Sequence, residues 1–408
     1  MKKVWDKWTR IALVKRILVG LILGAILGIA VPQATGIAIL GDVFVSALKA
    51  IAPLLVFFLV ISSLCNAGKS HGGVIKTVII LYMFSTVLAA VIAVFASMAF
   101  PVKMTLANAA TDTSAPQGIV EVLNNLLLNV VANPVSSLVN ANYVGILMWA
   151  VLLGLAFRAA DKMTKKVLAD VADGISMVVT WIINLAPFGI FGLVFNTVST
   201  NGLDIFTTYG KLLILLVGCM LFIYFVTNPL LVYWCIRQNP YPLIFQCLKR
   251  SALTAFFTRS SAANIPVNMK VCEEMGLDRD TYSVTIPLGA TINMDGAAIT
   301  ITVMTMATAF TLGIHVDIPT AIILSLLAAL SACGASGVAG GSLLLIPMAC
   351  SLFGISDDIS MQVVAVGFII GVVQDSVETA LNSSSDLLLS ASAEFRQWRL
   401  EGKEIKFK

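Results

Sequence analysis

Charge is scarce in this chain. Asp, Glu, Lys and Arg make up 12% of its 408 residues against 58% hydrophobic, about half the charged share usual for soluble domains. With a mean hydropathy of +0.94, this composition excludes an ordinary soluble domain and reads as an integral membrane protein. Histidine is nearly missing as well: only His71 and His315 occur, so zinc chemistry and a metal-dependent hydrolase have no support. The seven cysteines, Cys65, Cys219, Cys235, Cys247, Cys272, Cys333 and Cys350, form no CxxC pair and fall mostly in apolar stretches, which reads as buried free thiols. No phosphate loop or nucleotide motif is present, which argues against direct ATP driving. The net charge of +4 is small and spread over short loops, which excludes a nucleic-acid face. The basic N-terminus runs into a long apolar span without a small-residue cleavage site, so the first helix is expected to be kept.

What the chain has instead is long apolar runs. A bilayer core of about 30 Å needs about 20 helical residues. Eight stretches qualify, roughly 11 to 32, 44 to 65, 74 to 100, 141 to 158, 168 to 196, 211 to 236, 281 to 313 and 361 to 392. Basic residues recur in alternate connections, among them Lys7 and Arg10, Lys69 and Lys76, Arg158 to Lys166, Arg237 to Arg250, and Arg396 to Lys406. By the positive-inside rule these loops and both termini face the cytoplasm, in a bacterial cell the cytoplasmic side of the inner membrane. The loop of roughly 102 to 140 is then external, with an apolar piece from Ile119 to Ala132 that suits an interfacial or partial helix.

Two further apolar regions do not fit the span count. Ser251 to Phe257 leads into the polar run Thr258, Arg259, Ser260, Ser261, Ala262, Ala263, Asn264. An arm of about 10 to 15 residues rises only about 15 to 22 Å, so this segment is expected to enter from the cytoplasm and return. Ile318 to Phe353 has apolar arms around Gly334 to Ser342 and is expected to re-enter from outside. Its glycine-rich tip would expose backbone groups at membrane depth, tolerable only around a cavity. Each hairpin precedes a helix bearing Asn and Asp, first Asn293 and Asp295, then the stretch from Asp375 to Asp386. Paired, oppositely oriented, interrupted segments point to an inverted-repeat transporter with a site near the midplane.

The last of these helices carries the sharpest signal. At 100° per residue, Glu378, Thr379, Asn382 and Asp386 fall at about −60°, +40°, −20° and +20° from Asp375. All five share one face. A carboxylate at bilayer depth costs roughly 2.5 to 3.5 kcal/mol on insertion scales, so three acids in one stripe require a polar cavity, a partner or a cation. Arg259 is placed to partner Asp375 or Glu378, or else to snorkel to an interface. Asp295, with no exposed boundary nearby, suits cation ligation better than helix capping. Carboxylate, carbonyl and hydroxyl oxygens at this depth suit Na⁺, although protons could use the same acids. A cation channel or an intramembrane aspartyl protease remains as a rival reading.

Four motifs in order, Thr258-Arg259-Ser260-Ser261 with Pro266, Gly289 to Gly296, the glycine-rich second hairpin, and Asp375-x3-Thr379-x2-Asn382-x3-Asp386, resemble the dicarboxylate and amino acid:sodium symporter family. That family includes the glutamate transporters, and the likeness is greatest to its bacterial serine/threonine:sodium branch. The resemblance implies an all-α polytopic fold of eight transmembrane helices and two re-entrant hairpins, assembled as a homotrimer and working as an elevator. Residues 1–236 would be mainly scaffold, with the third helix lending residues to a sodium site, and 237–408 the substrate-carrying region. It also implies site roles. Asp375 would hold the substrate α-amino group beside Thr379. Asn382 and the amides around Ser260 and Ser261 would hold the α-carboxylate, and Val338 would close over the ligand. One Na⁺ would use Asp386 with backbone oxygens of Gly289, Asn293 and Asn382. A second would lie between Thr291 and the carbonyls of Ala332, Cys333 and Ala335. A third would use Tyr82, Ser85, Thr86, Asn293 and Asp295. Na⁺ would be co-transported rather than a fixed cofactor.

Departures from the family pattern bear on the substrate. Members that carry acidic substrates have arginine where this chain has Glu378, and threonine where it has Ala297, so both partners for a side-chain carboxylate are missing. In a desolvated pocket Glu378 would repel an anionic side chain by several kcal/mol at an effective dielectric constant of about 20. A hydroxyl could instead donate to Glu378 or Asp375, favouring serine and threonine over alanine by about 1 to 3 kcal/mol. Import of other small neutral or dicarboxylic amino acids, coupled to Na⁺ or H⁺, stays open as an alternative. Ala339 stands where the hairpin commonly has proline.

Overall fold

The computed structural model describes residues 11, 13–66, 73–106, 127–128, 130–203, 205–333, 335 and 340–405. Among these residues every regular element is helical. Six helical stretches are long and apolar enough to cross a membrane: Thr35–Ser62, Gly73–Ala99, Lys162–Asn184, Phe206–Ile236, Arg279–Thr311 and Asp357–Leu400.

The first half supplies α1 (Leu13–Ala30), α2 (Ile39–Asn66), α3 (Gly73–Ala99), the short α4 (Pro134–Val139), α5 (Tyr143–Ala156), α6 (Lys162–Asn184) and α7 (Ala186–Asn201). The single span expected over 168–196 is two helices. Leu185 separates them and Pro187 opens α7 in its first turn, where a missing N–H costs nothing. Gly20, Gly24 and Gly28 recur every four residues on α1. A Cβ there would lie 2.2 Å from Pro187 O, 2.6 Å from Phe191 O and 3.0 Å from Phe195 O. Only glycine lets the α1 and α7 backbones approach so closely, the small-residue packing of membrane helices.

The expected span from 211 begins earlier, at α8 (Ile205–Phe222), and continues through a π-helical turn (Ile223–Thr227) into α9 (Asn228–Ile236). The first hairpin follows. Its leading arm is helical from Tyr241, through α10 (Tyr241–Cys247), a second π turn (Leu248–Ala252) and α11 (Leu253–Thr258). This arm is longer than the apolar run of 251 to 257, because Lys249 and Arg250 lie in the π turn and interrupt the hydrophobic pattern. Arg259 ends it in the left-handed region at φ 51°. Ser260 then caps α12 (Ser261–Glu274), its hydroxyl accepting from Ala263 N at 3.2 Å.

The expected span 281 to 313 is interrupted. α13 (Arg279–Ile292) stops, Asn293 and Met294 adopt non-helical dihedrals, and α14 (Asp295–Thr311) starts. The second hairpin climbs through α15 (Ile318–Ala332) and returns through a 3₁₀ turn (Gly341–Leu345) and α16 (Ile346–Ser351). Most of its tip, including Val338 and Ala339, lies outside the described residues, as does most of the apolar piece at 119–132. α17 (Asp357–Leu400) is one helix of 44 residues. At 1.5 Å per residue it would reach about 66 Å, more than twice the hydrocarbon thickness.

α1 and α2 pack on α7, and α2 also packs on α5 and α6. α17 gathers a second group about itself: α3, α8, α9, both arms of the first hairpin, α13 and α14. α14 is buried almost throughout, from Asp295 to Ala309. The two groups meet where α17 touches α2 and α7. There Phe44 stands edge-on to Phe368 at 5.3 Å, and Lys49 Nζ lies 3.1 Å from Asp357 and 2.7 Å from Asp358. A cleft of about 450 Å³ lies along this boundary, lined by residues that include Asp42, Asn196, Tyr209 and Gln362.

Candidate functional site

The interruption at Asn293 and Met294 faces α17. Asn293 Nδ2 donates to Asp386 Oδ1 at 2.9 Å and to Ser385 Oγ at 2.8 Å, while Asn293 Oδ1 is buried without a donor. Asp386 is 1% exposed. A Cβ on Gly289 would stand 2.8 Å from Asp386 Oδ1, so the absence of a side chain there lets the carboxylate reach the α13 backbone. Tyr82 hydroxyl donates to the Asp386 carbonyl at 2.9 Å and the Thr285 carbonyl at 3.2 Å. It thus stands with Asp386 rather than with Asp295.

Asp295 opens α14 without capping it through its side chain. Its carboxylate accepts from Ser85 Oγ at 2.8 Å and Thr86 Oγ1 at 3.2 Å, both on α3. Met294 N donates to Thr86 Oγ1 at 3.3 Å. Asn228, at the end of the π turn, brings Oδ1 to 3.5 Å from Ser85 Oγ. The α14 amino end is served instead by Asn382, whose Oδ1 accepts from Gly296 N at 2.7 Å. The donors to both aspartates are neutral. Two carboxylates buried with neutral donors and an unused amide oxygen form the kind of oxygen-rich environment that a hard cation relieves.

Asp375 ties the two hairpins together. Arg259 Nε and Nη2 reach its Oδ2 at 2.6 and 2.5 Å, and Gly340 N donates to its Oδ1 at 3.2 Å. Of the two acids open to Arg259 by sequence, it takes Asp375, so an ammonium group arriving at this carboxylate competes with a guanidinium. Thr379 is 7% exposed on the same helix, and Ser261 is buried at the start of α12. The residues assigned to the second sodium come only partly together. Cys333 Sγ lies 3.6 Å from Ile292 O, which brings the hairpin beside the end of α13. Thr291 Oγ1, however, donates to its own helix at Leu288 O (2.7 Å), and the Ala332 carbonyl already accepts from Ala335 N (2.9 Å).

Glu378 does not stand alone facing a substrate. Its Oε2 accepts from Thr300 Oγ1 at 2.7 Å, Gln374 Nε2 at 2.5 Å and Ser342 Oγ at 2.9 Å. Thr300, Gln374, Ser342, Ser385 and Asn228 were not singled out by sequence. Gln374 lies one turn before Glu378 and about 40° beyond it on the helix, at the edge of the polar stripe. The others join the site only through contacts between elements, which periodicity does not encode.

Residues 13–394 match the sodium:dicarboxylate symporter family. A protein of Bifidobacterium adolescentis named serine/threonine transporter SstT is 57% identical over 406 residues, covering 99% of this chain and 94% of that protein. A protein of the same name from Streptococcus thermophilus is 55% identical over 400 residues, covering 98% of this chain and 100% of its own. With the interrupted helix, the two hairpins and the buried acids of α14 and α17 set within a match that runs almost end to end, this chain belongs to the sodium:dicarboxylate symporter family.

Proposed function

We propose that this protein is a Na⁺-coupled importer of serine and threonine in the bacterial cytoplasmic membrane, with both termini cytoplasmic. The observation that carries this reading is the charge balance of the site. Asp295, Glu378 and Asp386 are each buried to 5% exposure or less and have no cationic partner among the described residues, whereas Asp375 is paired with Arg259. A zwitterionic amino acid adds no net charge. Cations entering with it would offset the buried acids, and an acidic side chain would add to them.

The substrate ammonium group would take Asp375 as Arg259 yields, with Thr379 beside it. Its carboxylate would lie at the positive end of α12, near Ser260 and Ser261, with the Asn382 amide, while Val338 closes above. Na⁺ would bind at Asp386 with Gly289, Asn293 and Asn382, beside the Tyr82 hydroxyl, and at Asp295 with Ser85, Thr86 and Asn293. A further cation would lie among Thr291, Ala332, Cys333 and Ala335. Glu378 would sense the side chain.

The packing groups suggest which parts move. α1, α2 and α5–α7 would form the scaffold and the trimer contacts. The hairpins, α13, α14 and α17 would carry the substrate in an elevator-like step, with α3, α8 and α9 travelling alongside. The names of the close relatives support the choice of substrate. Equilibrium binding of labelled serine to the purified protein tests this reading: affinity should rise steeply with Na⁺, and binding indifferent to Na⁺ would overturn it.

A further inference from the structure

Glu378 is held by an unusual division of labour between its two oxygens. Three donors from three different segments converge on Oε2: Thr300 from α14, Gln374 from the preceding turn of α17, and Ser342 from the second hairpin. Oε1 accepts from none of the described residues, and the residue keeps 5% of its surface open. Gln374 is spent on this arrangement. Its Nε2 also donates to Thr300 Oγ1 at 2.8 Å, while its own Oε1 is left buried without a donor. Both contacts of the Gln374 amide nitrogen thus go into the group around Glu378 Oε2. A Cβ on Gly296 would come within 3.0 Å of Glu378 Cα. The helix carrying Glu378 is therefore seated against α14 with little freedom to slide.

We propose that Thr300, Gln374 and Ser342 are positioning residues for side-chain selection: by occupying Oε2 they fix Glu378 so that Oε1 is the atom that accepts the substrate hydroxyl. This rests on the reading that Glu378 faces the substrate side chain. Ser342 adds a conformational condition. It lies two residues after Gly340, whose N–H binds Asp375, so one short segment of the hairpin contacts both acids of the site. The seated hairpin thereby sets the side-chain acceptor as it covers the amino-group acceptor.

The test is the ratio of KM values for serine and alanine, measured by uptake into proteoliposomes at a fixed Na⁺ gradient. Thr300→Val and Ser342→Ala should each reduce the preference for serine by about three- to tenfold, the loss of one hydrogen bond. The change should sit mainly in KM, and the rise in KM for serine should exceed any rise for alanine. Thr300→Ser, which keeps the hydroxyl, should restore the ratio. Ser342→Ala gives the same answer if Thr300→Val does not fold. Equal weakening of both amino acids, or a ratio unchanged in both variants while Glu378→Gln lowers it, would overturn the positioning role and leave Glu378 as the selector. A ratio unmoved by Glu378→Gln would instead overturn the reading beneath it.

Discussion

Asp386 and Asp295 lie on either side of Asn293, each buried and each served by neutral donors. If they hold Na⁺, Asp386→Asn should raise the Na⁺ concentration for half-maximal serine uptake at least tenfold, since one direct charge contact is worth more than about 1.4 kcal/mol in a desolvated site. A Na⁺ titration checks this, and an unchanged midpoint would remove Asp386 from the cation path. Glu378→Arg should weaken serine uptake and let aspartate compete, because the repulsion of an anionic side chain becomes attraction; a competition assay reads both effects. Much of this site was legible beforehand. The 100° step placed Asp375, Glu378, Thr379, Asn382 and Asp386 on one face, and all five are buried on α17. Ser85 and Thr86 stand out only through family resemblance, because hydroxyls in membrane helices commonly bond their own backbone. Thr86 Oγ1 does that as well, donating to Tyr82 O at 3.0 Å. The donor cage around Glu378 was not legible, since Thr300 and Ser342 stand 78 and 36 residues from it.

The elements show where periodicity is too coarse. The 281 to 313 run is apolar enough to read as one helix, yet Asn293 and Met294 break it, and at that break the Asn293 side chain reaches Asp386. The split at Leu185 did carry a signal: proline is favoured in the first turn of a helix and disfavours helical continuation at the residue before it, and Pro187 lies in the first turn of α7. The spacing Gly20-x3-Gly24-x3-Gly28 was equally visible and is explained by contact with α7. Gly24→Leu should therefore lower the thermal stability of the detergent-solubilised protein, by about 1 to 3 kcal/mol for an overpacked contact, because a Cβ meets Phe191 O at 2.6 Å. Thermal unfolding compared with an exposed α1 control, Ile22→Ala, checks it; equal effects would contradict the close packing.

Across the whole molecule, the two packing groups share a boundary where Phe44 meets Phe368 and Lys49 meets Asp357 and Asp358. An elevator step would require this boundary to slip. With Cys at positions 44 and 368 and the native cysteines replaced, oxidative cross-linking should stop uptake while leaving serine binding intact, and uptake persisting in the cross-linked protein would contradict the sliding step. The central claim is coupling, and one measurement reaches it most directly: accumulation of labelled serine by proteoliposomes under Na⁺, Li⁺ or H⁺ gradients imposed separately, with threonine and aspartate as competitors. Serine should concentrate above equilibrium only with an inward Na⁺ gradient, and threonine should compete far better than aspartate. Accumulation without a Na⁺ gradient, or aspartate competing as well as threonine, would contradict the account.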